Sequence, residues 1–384
     1  MARLHTTAAA RPRALLVGVD TGEDRALFDV EMDELDALAR ASGIEPVGRM
    51  VQRRPAVDPS TLIGSGKVGD VIETAAQSKA ELVVTLNALR PRQRTALEKA
   101  LGNDIAVTDR TVVILDIFAQ HARTNEGKLQ VELAQLRHRA ANLIGARDAL
   151  SRLGGGVGTR GPGETKLETD RRKIRLRISH LEGQLKEVSR RRREQRRSRE
   201  GTPVVALVGY TNAGKSSLLN ALTSGRDAFV ADQPFATLDP TLRKLRFDDG
   251  AEAVLADTVG FIHDLPKELI NAFRATLEEV TNATLLLHVI DASNPFWERQ
   301  RESVEAILDQ LGAGEKPTFI VWNKTDVAEA VHPREGMAVS AKTGKGLREL
   351  KTTLEREIAP PRASDAQSPR EGSGSTAGRR RHHS

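Results

Sequence analysis

The sequence predicts a multi-domain α/β protein, in which a small N-terminal α/β domain and a second, larger α/β domain flank an antiparallel helical hairpin. Three observations carry that prediction. Short apolar runs alternate with helical periodicities over residues 14–120, and again after Gly201. Between the two alternating regions, Leu129, Leu133, Leu136, Ala140 and Leu143 recur at spacings of four and three, as do Ile174, Ile178, Leu181, Leu185 and Val188, which gives two matched coiled-coil seams. Finally, Gly209-Tyr210-Thr211-Asn212-Ala213-Gly214-Lys215-Ser216 satisfies G-x-x-x-x-G-K-[ST] at every fixed position, and it joins a buried-strand run at 203–208 to a helix through Ser217 and beyond.

Residues 1–12 are expected to be disordered, and 13–127 form the first domain. Runs at 14–20, 46–52, 81–85 and 104–108 read as strands; 30–41, the stretch up to Gln77 and 91–101 read as helices, with Pro91 in a first turn where its missing N–H costs nothing. Gly64-Ser65-Gly66-Lys67 resembles a phosphate loop, but Thr61 stands where the pattern needs Gly and Val68 where it needs Ser or Thr. A turn or an anion-attracting helix start is expected there rather than a second nucleotide site.

The hairpin takes residues 128–200, and its tip is Gly154-Gly155-Gly156-Val157-Gly158-Thr159-Arg160-Gly161-Pro162-Gly163-Glu164-Thr165, whose glycines and Pro162 break a helix. The second domain takes 201–360. Asp248-Asp249-Gly250 sets a tight turn between strands 242–247 and 253–256. Further strands are read at 285–291, 318–322 and 337–339, and helices at 272–280, 296–311 and 347–358. Residues 361–384, rich in Ser, Gly, Pro and Arg, are an expected disordered tail.

With no cysteine, disulfides and thiolate metal sites are excluded, and the nine histidines lack zinc-ligand spacing. No apolar run approaches the roughly 18–20 residues of a membrane span, so a cytoplasmic, monomeric protein with no stable membrane insertion is expected. Charge is uneven: residues 171–199 hold thirteen Lys/Arg against three Glu, which exceeds the +6 of the whole chain and leaves the remainder net acidic. That stripe suits an anionic polymer. Arg160, Lys166, Arg171, Arg172 and Lys173 place cations at or beside the hairpin tip, where phosphate and 2′-hydroxyl contacts to folded RNA are the expected use.

The 209–216 loop implies nucleotide chemistry. Gly209, Asn212, Ala213, Gly214 and Ser217 contribute to the backbone cradle, Lys215 reaches the β/γ oxygens, and the Ser216 hydroxyl holds Mg²⁺. Asp257-Thr258-Val259-Gly260 follows a strand, with Asp257 directed at Mg²⁺ and the Gly260 amide at the γ-phosphate. Asn323-Lys324-Thr325-Asp326 discriminates the base, because a single carboxylate at Asp326 accepts the N1–H and N2–H₂ donors of guanine, which adenine lacks. Asn323 faces the base's acceptor edge, the Lys324 stem packs on the ring, and Ser340-Ala341-Lys342 supplies a backbone donor to O6. The nucleotide is GTP or GDP.

The mobile switch lies at Phe235-Ala236-Thr237, with Thr237 as the metal-sensing hydroxyl and Thr241 as the runner-up. Phe261 stands where many such enzymes carry a water-orienting Gln, so hydrolysis is expected to be slow until a partner reorders the switches. Asn212 is either a turn former or a helper in holding a monovalent cation such as K⁺.

With these residues assembled, the chain resembles an HflX-type GTPase of the Obg–HflX group over roughly residues 14–360. The stretches that carry the resemblance are Gly64-Ser65-Gly66-Lys67, the run from Asp109-Arg110-Thr111 through Gln130-Val131-Glu132-Leu133-Ala134-Gln135-Leu136, the tip loop with Leu167-Glu168-Thr169-Asp170-Arg171-Arg172, Phe235-Ala236-Thr237-Leu238-Asp239-Pro240, and Asp257 to Phe261. The resemblance implies a Ras-like P-loop GTPase domain, binding to the large ribosomal subunit, a hairpin tip approaching ribosomal RNA near the peptidyl transferase centre, and the splitting or rescue of stalled ribosomes. Two departures are a short Arg-rich tail in place of the further folded domain of some relatives, and a looser match from Asn87 to Pro91. The competing readings are a GTP-regulated switch acting on a membrane surface, a protein or another RNA, and an RNA-remodelling protein with a second nucleotide site in the N-terminal domain.

Overall fold

The computed structural model describes residues 11–22, 24–102, 104–153, 162–197, 201–223, 234–235, 237–265, 269–270, 277–327, 330–331 and 335–358. The N-terminal domain runs β1 (Arg13–Asp20), α1 (Arg25–Ala41), β2 (Glu45–Arg53), α2 (Ser65–Ser78), β3 (Leu82–Thr85), α3 (Pro91–Ala100), β4 (Ala106–Asp109) and α4 (Arg110–His121). Its four strands are all parallel in the order β2-β1-β3-β4. Central β1 is buried from Ala14 onward, which is why its sequence is a continuous apolar run rather than an alternating one.

The sequence reading assigns no element to 110–121. The structure forms α4 there, capped by Asp109, which accepts from the Val112 amide at 3.2 Å. Val113, Ile114, Leu115, Ile117 and Phe118 are all buried, as in a helix covered on several sides.

The hairpin consists of α5 (Asn125–Leu153) and α6 (Pro162–Arg197). Leu129, Leu133 and Leu181 form its buried seam, with Leu136, Ile178 and Leu185 packed against them. Glu126 meets Arg192 at 2.7 Å and Glu132 takes two hydrogen bonds from Arg177 at 2.7 and 2.9 Å, which fixes the antiparallel register. The tip is shorter than the sequence reading has it. Helix α6 already begins at Pro162, the one position where proline suits a helix, so Pro162, Gly163, Glu164 and Thr165 belong to the helix. The rest of the tip, with Arg160, lies outside the described residues; so does the side chain of Lys166, whose backbone lies in α6.

The second domain runs β5 (Val204–Val208), α7 (Lys215–Thr223), β6 (Thr241–Arg246), β7 (Glu252–Asp257), α8 (Glu278–Asn282), β8 (Leu285–Asp291), α9 (Trp297–Gln310), β9 (Thr318–Asn323), β10 (Met337–Ala338) and α10 (Leu347–Ile358). The helix read at 272–280 is described only as short α8, since 271–276 lie outside the described residues. The sheet order is β10-β9-β8-β5-β7-β6, with only β6 antiparallel to its neighbour. The chain leaves β5 for strands on one side and returns to the other, so the end of β5 is the crevice where such sheets hold ligands.

The two α/β domains share one apolar cluster. Phe28, Met32 and Leu35 of α1 and Ile114 and Phe118 of α4 are continuous with Val208, Phe235, Leu238, Phe261 and Ile262, and the Phe118 and Phe235 rings meet edge to face at 4.6 Å.

Candidate nucleotide-binding site

The turn from β5 to α7 is set by backbone shape. Gly209 has φ +154°, and a Cβ there would collide with the Val289 carbonyl; Gly214 has φ +89°, and a Cβ there would collide with the Asn323 amide. Both glycines therefore let neighbouring strands approach the loop. Asn212, at φ +60° and exposed, occupies the left-handed region that Asn tolerates, so conformation alone accounts for it. Lys215 is buried, and its Nζ donates to the Gly209 and Tyr210 carbonyls at 3.0 and 2.9 Å. Burial pushes its pKa down to about 8, against the pull of nearby Asp257. Ser217 follows in the first turn of α7, whose leading amides have no intrahelical partners.

At the end of β7, Asp257 Oδ2 accepts from the Ser216 hydroxyl at 2.6 Å and from the Thr237 hydroxyl at 3.0 Å, and those two hydroxyls stand 2.9 Å apart. Thr241 instead opens β6, in register with Asp257, and is committed to the sheet. Of the three switch residues, Phe235 is buried in the shared core, Thr237 sits at the carboxylate, and Ala236 lies outside the described residues. Asp257 Oδ1 is buried without a hydrogen-bond partner, and burial holds its carboxyl above the usual range. A half-satisfied carboxylate flanked by two hydroxyls is a hard oxygen donor set that fits Mg²⁺.

Gly260 packs against Thr211 so closely that a Cβ would lie 2.9 Å from the Thr211 Cα. Next to it, the Phe261 amide donates to the Gly209 carbonyl at 3.1 Å, and the Phe261 carbonyl accepts from Thr211 N–H at 2.7 Å. The Phe261 side chain is wholly buried in the core and has no polar group to offer an attacking water.

On the other side, Asn323 at the end of β9 spans two loops: its Nδ2 donates to the Ala213 carbonyl at 2.9 Å and its Oδ1 accepts from the Ala341 amide at 3.0 Å. It is a tie between the phosphate loop and the 340–342 loop, beyond the base-edge contact read from sequence. Lys324, at φ +64°, sends its Nζ to Asp291 Oδ2 at 2.7 Å. Asp326 is exposed and accepts from the Ser340 hydroxyl at 2.6 Å; that bond first, then Lys342 and Lys324, holds its carboxyl below the usual range.

The sequence reading missed a ring of four groups. Tyr210 donates to Glu34 of α1 at 2.8 Å, Arg110 of α4 donates to Glu34 at 2.9 Å and to the His263 carbonyl at 2.9 Å, and the His263 amide donates to Tyr210 at 2.9 Å. Burial raises the carboxyl pKa of Glu34, opposed by Arg110 and Tyr210. No periodicity announces such a ring, because each member comes from a different element.

Residues 29–119 match the family described as GTP-binding GTPase N-terminal, 121–199 the GTP-binding GTPase middle region, and 204–324 the 50S ribosome-binding GTPase family. The chain is 47% identical over 352 residues to GTPase HflX of Caldanaerobacter subterraneus, covering 91% of this chain and 81% of that one. The chain belongs to the HflX family of GTPases. Another HflX, that of Escherichia coli, is 44% identical over 361 residues, covering 91% and 84% of the two chains. Among solved structures, a GTP-binding protein from Sulfolobus solfataricus in complex with GDP aligns with this HflX-family chain at 21% identity and a TM-score of 0.46, over 90% and 98% of the chains. The multi-domain α/β fold described above, with its P-loop GTPase domain, accords with the matches of residues 29–119 and 204–324.

Proposed function

We propose that this protein is a GTP-driven factor that binds the large ribosomal subunit, uses its GTP-bound state to split or rescue stalled ribosomes, and hydrolyses GTP faster on the ribosome than off it. The convergence of Ser216, Thr237 and Asp257 within 3.0 Å of one another carries the nucleotide half of the reading. In that reading these three residues hold Mg²⁺, which offsets charge on the β- and γ-phosphates. Loop amides and Lys215 cradle the phosphates, and the Gly260 amide meets the γ-phosphate. Asp326 accepts the guanine donors, Ala341 and its neighbours Ser340 and Lys342 line O6, and Asn323 keeps base and phosphate loops in register. Phe261 supplies no water-orienting group, so the partner completes the hydrolytic site.

The ribosomal half is supported by the match of residues 204–324 to the family described as 50S ribosome-binding GTPase and by the division of labour along α6. Arg177 and Arg192 are engaged with Glu132 and Glu126 of α5, while Arg172, Lys173 and Arg175 are exposed near the tip and Arg171 is half-buried. That exposed set faces ribosomal RNA. No described helix is long and apolar enough to cross a membrane.

Sedimentation with isolated large subunits tests the proposal. Binding should be strong with a non-hydrolysable GTP analogue, weak with GDP, and should fall steeply with salt. Nucleotide-independent association, or GTP turnover unchanged by subunits, would overturn it.

A further inference from the structure

Thr237 is not held at the carboxylate by the GTPase domain alone. Two residues after it, Asp239 reaches across to the start of the hairpin: its Oδ2 accepts from the Arg123 and Thr124 amides at 2.8 and 2.9 Å, and its Oδ1 accepts from the Thr124 hydroxyl at 2.5 Å. The Thr124 hydroxyl in turn accepts from the Gly127 amide at 2.9 Å, and the Thr124 carbonyl from the Lys128 amide at 3.1 Å, so Thr124 is the N-cap of α5. Asp239 therefore caps the cap, with its negative charge at the positive end of the helix. Two residues before Thr237, Phe235 is locked against Phe118 of α4. The metal-facing threonine thus sits midway between two anchors, neither of which lies in its own domain.

Gly127 shows that the contact is built. A Cβ there would come within 2.5 Å of Asp239 Oδ1 and 3.3 Å of its Cγ, so the first turn of α5 carries a glycine, a poor helix former, where the carboxylate must lie against it. The segment between the two sites is short and stiff. Pro240 follows Asp239 directly, fixing its own φ and favouring extended backbone before it, and β6 begins at Thr241. At the hairpin end, Glu126 in the same first turn pairs with Arg192 near the far end of α6.

We propose that Asp239 is a positioning residue that couples the metal-sensing Thr237 to the first turn of the hairpin. This rests on the GTP and Mg²⁺ reading above. When Thr237 is drawn to the metal, Asp239 seats on Arg123 and Thr124; when Thr237 leaves, the carboxylate is withdrawn and the α5 cap loosens. Linkage makes the coupling reciprocal: a partner that moves the hairpin base changes how firmly Thr237 stands over the metal. The hairpin is then the lever through which a bound partner reports to the nucleotide site.

The test is amide hydrogen exchange of the full chain at residues 123–127, with Mg²⁺ and either a non-hydrolysable GTP analogue or GDP, and nucleotide occupancy measured separately by fluorescence. The wild type should be protected on the order of fivefold more in the analogue state, the worth of one helix cap. Asp239→Ala should abolish that difference and raise the Mg²⁺ concentration needed to retain the analogue. Gly127→Ala should do the same by displacing the carboxylate, although it improves helix propensity and would raise protection if the role of Asp239 were only structural. Persistence of the difference in both variants, or its absence in a wild type shown to be occupied, overturns the coupling while leaving GTP binding intact. A wild type that binds no guanine nucleotide would overturn both readings.

Discussion

Two stretches of this chain resemble a phosphate loop at the start of a helix, Gly64 to Lys67 and Gly209 to Ser216, and only the second stands in a nucleotide-site setting. At Gly64 to Lys67, the Gly64 amide is spent on Gln52 Oε1 at 2.8 Å, Lys67 is paired with Asp70 at 3.3 Å, and a Cβ on Gly64 would meet Arg54 and Gln52 side chains at 3.0 and 3.2 Å. The Gly64 end of this turn is thus occupied by the domain's own side chains. The preceding strand, β2, is also at the edge of its sheet. At 209–216 the loop leaves β5 from inside the sheet, the neighbouring β7 delivers Asp257 to it, and β9, one strand further on beyond β8, delivers Asn323. A glycine-lysine turn gains phosphate chemistry from what nearby strands place beside it, and the short pattern alone does not supply that.

Paired substitutions would break the comparison if it is wrong. Lys215→Ala should weaken GTP binding by 100-fold or more, on the order of 3 kcal/mol, because a buried charge-assisted contact to phosphate is lost. Lys67→Ala, which removes a partly exposed i,i+3 pair, should leave binding unchanged, as judged by titration calorimetry. A loss at Lys67 comparable to that at Lys215 would restore the second-site reading of the N-terminal domain. A somewhat smaller effect is expected at the base. Asp326→Asn replaces an acceptor of two donors with an amide that offers a donor of its own, so guanine affinity should fall by about 100-fold. A purine with a carbonyl in place of the 2-amino group should gain in compensation. Competition between GTP and xanthosine triphosphate measures this, and unchanged preference would remove Asp326 from base recognition.

Much of this organisation is legible in the sequence because it is local. The phosphate loop, the strand-end aspartate and the base-reading tetrapeptide each lie within a few residues and follow apolar runs that can only be buried strands. The hairpin seams are legible because their period is. Helix α4 is not, since a helix buried on several sides loses its stripe and its β-branched residues mimic a strand. The ring of Tyr210, Glu34, Arg110 and His263 is not, since its bonds cross 53, 76, 153 and 176 residues of chain. Asp239 falls between these cases. Its neighbours in the run from Phe235 to Pro240 are part of the family resemblance, but its partner at Thr124 is visible only once α5 and the switch segment are folded together.

The smallest expected effect sharpens the contrast most directly, because it reads the burial of Lys215 itself. In the free protein its pKa is about 8, so the ammonium is mostly charged at pH 7 and mostly neutral by about pH 9. Bound phosphate favours the charged form and lifts the pKa above that window, so nucleotide binding above pH 8 requires proton uptake. Affinity for GDP should therefore be flat below about pH 7 and fall toward tenfold per unit above pH 8. The apo protein responds in the opposite direction. A lysine whose folded pKa is depressed binds fewer protons than the unfolded chain between about 8 and 10.5, so stability without nucleotide should rise through that range by up to about 1.4 kcal/mol per pH unit from this group. The thermal shift produced by GDP should accordingly shrink between pH 7 and 9, and shrink equally in the Lys67→Ala variant. A shift that stays constant across that range would mean that Lys215 is already paired or solvated in the free protein, and that the loop is not the dry, preformed cradle that distinguishes it from its counterpart in the first domain.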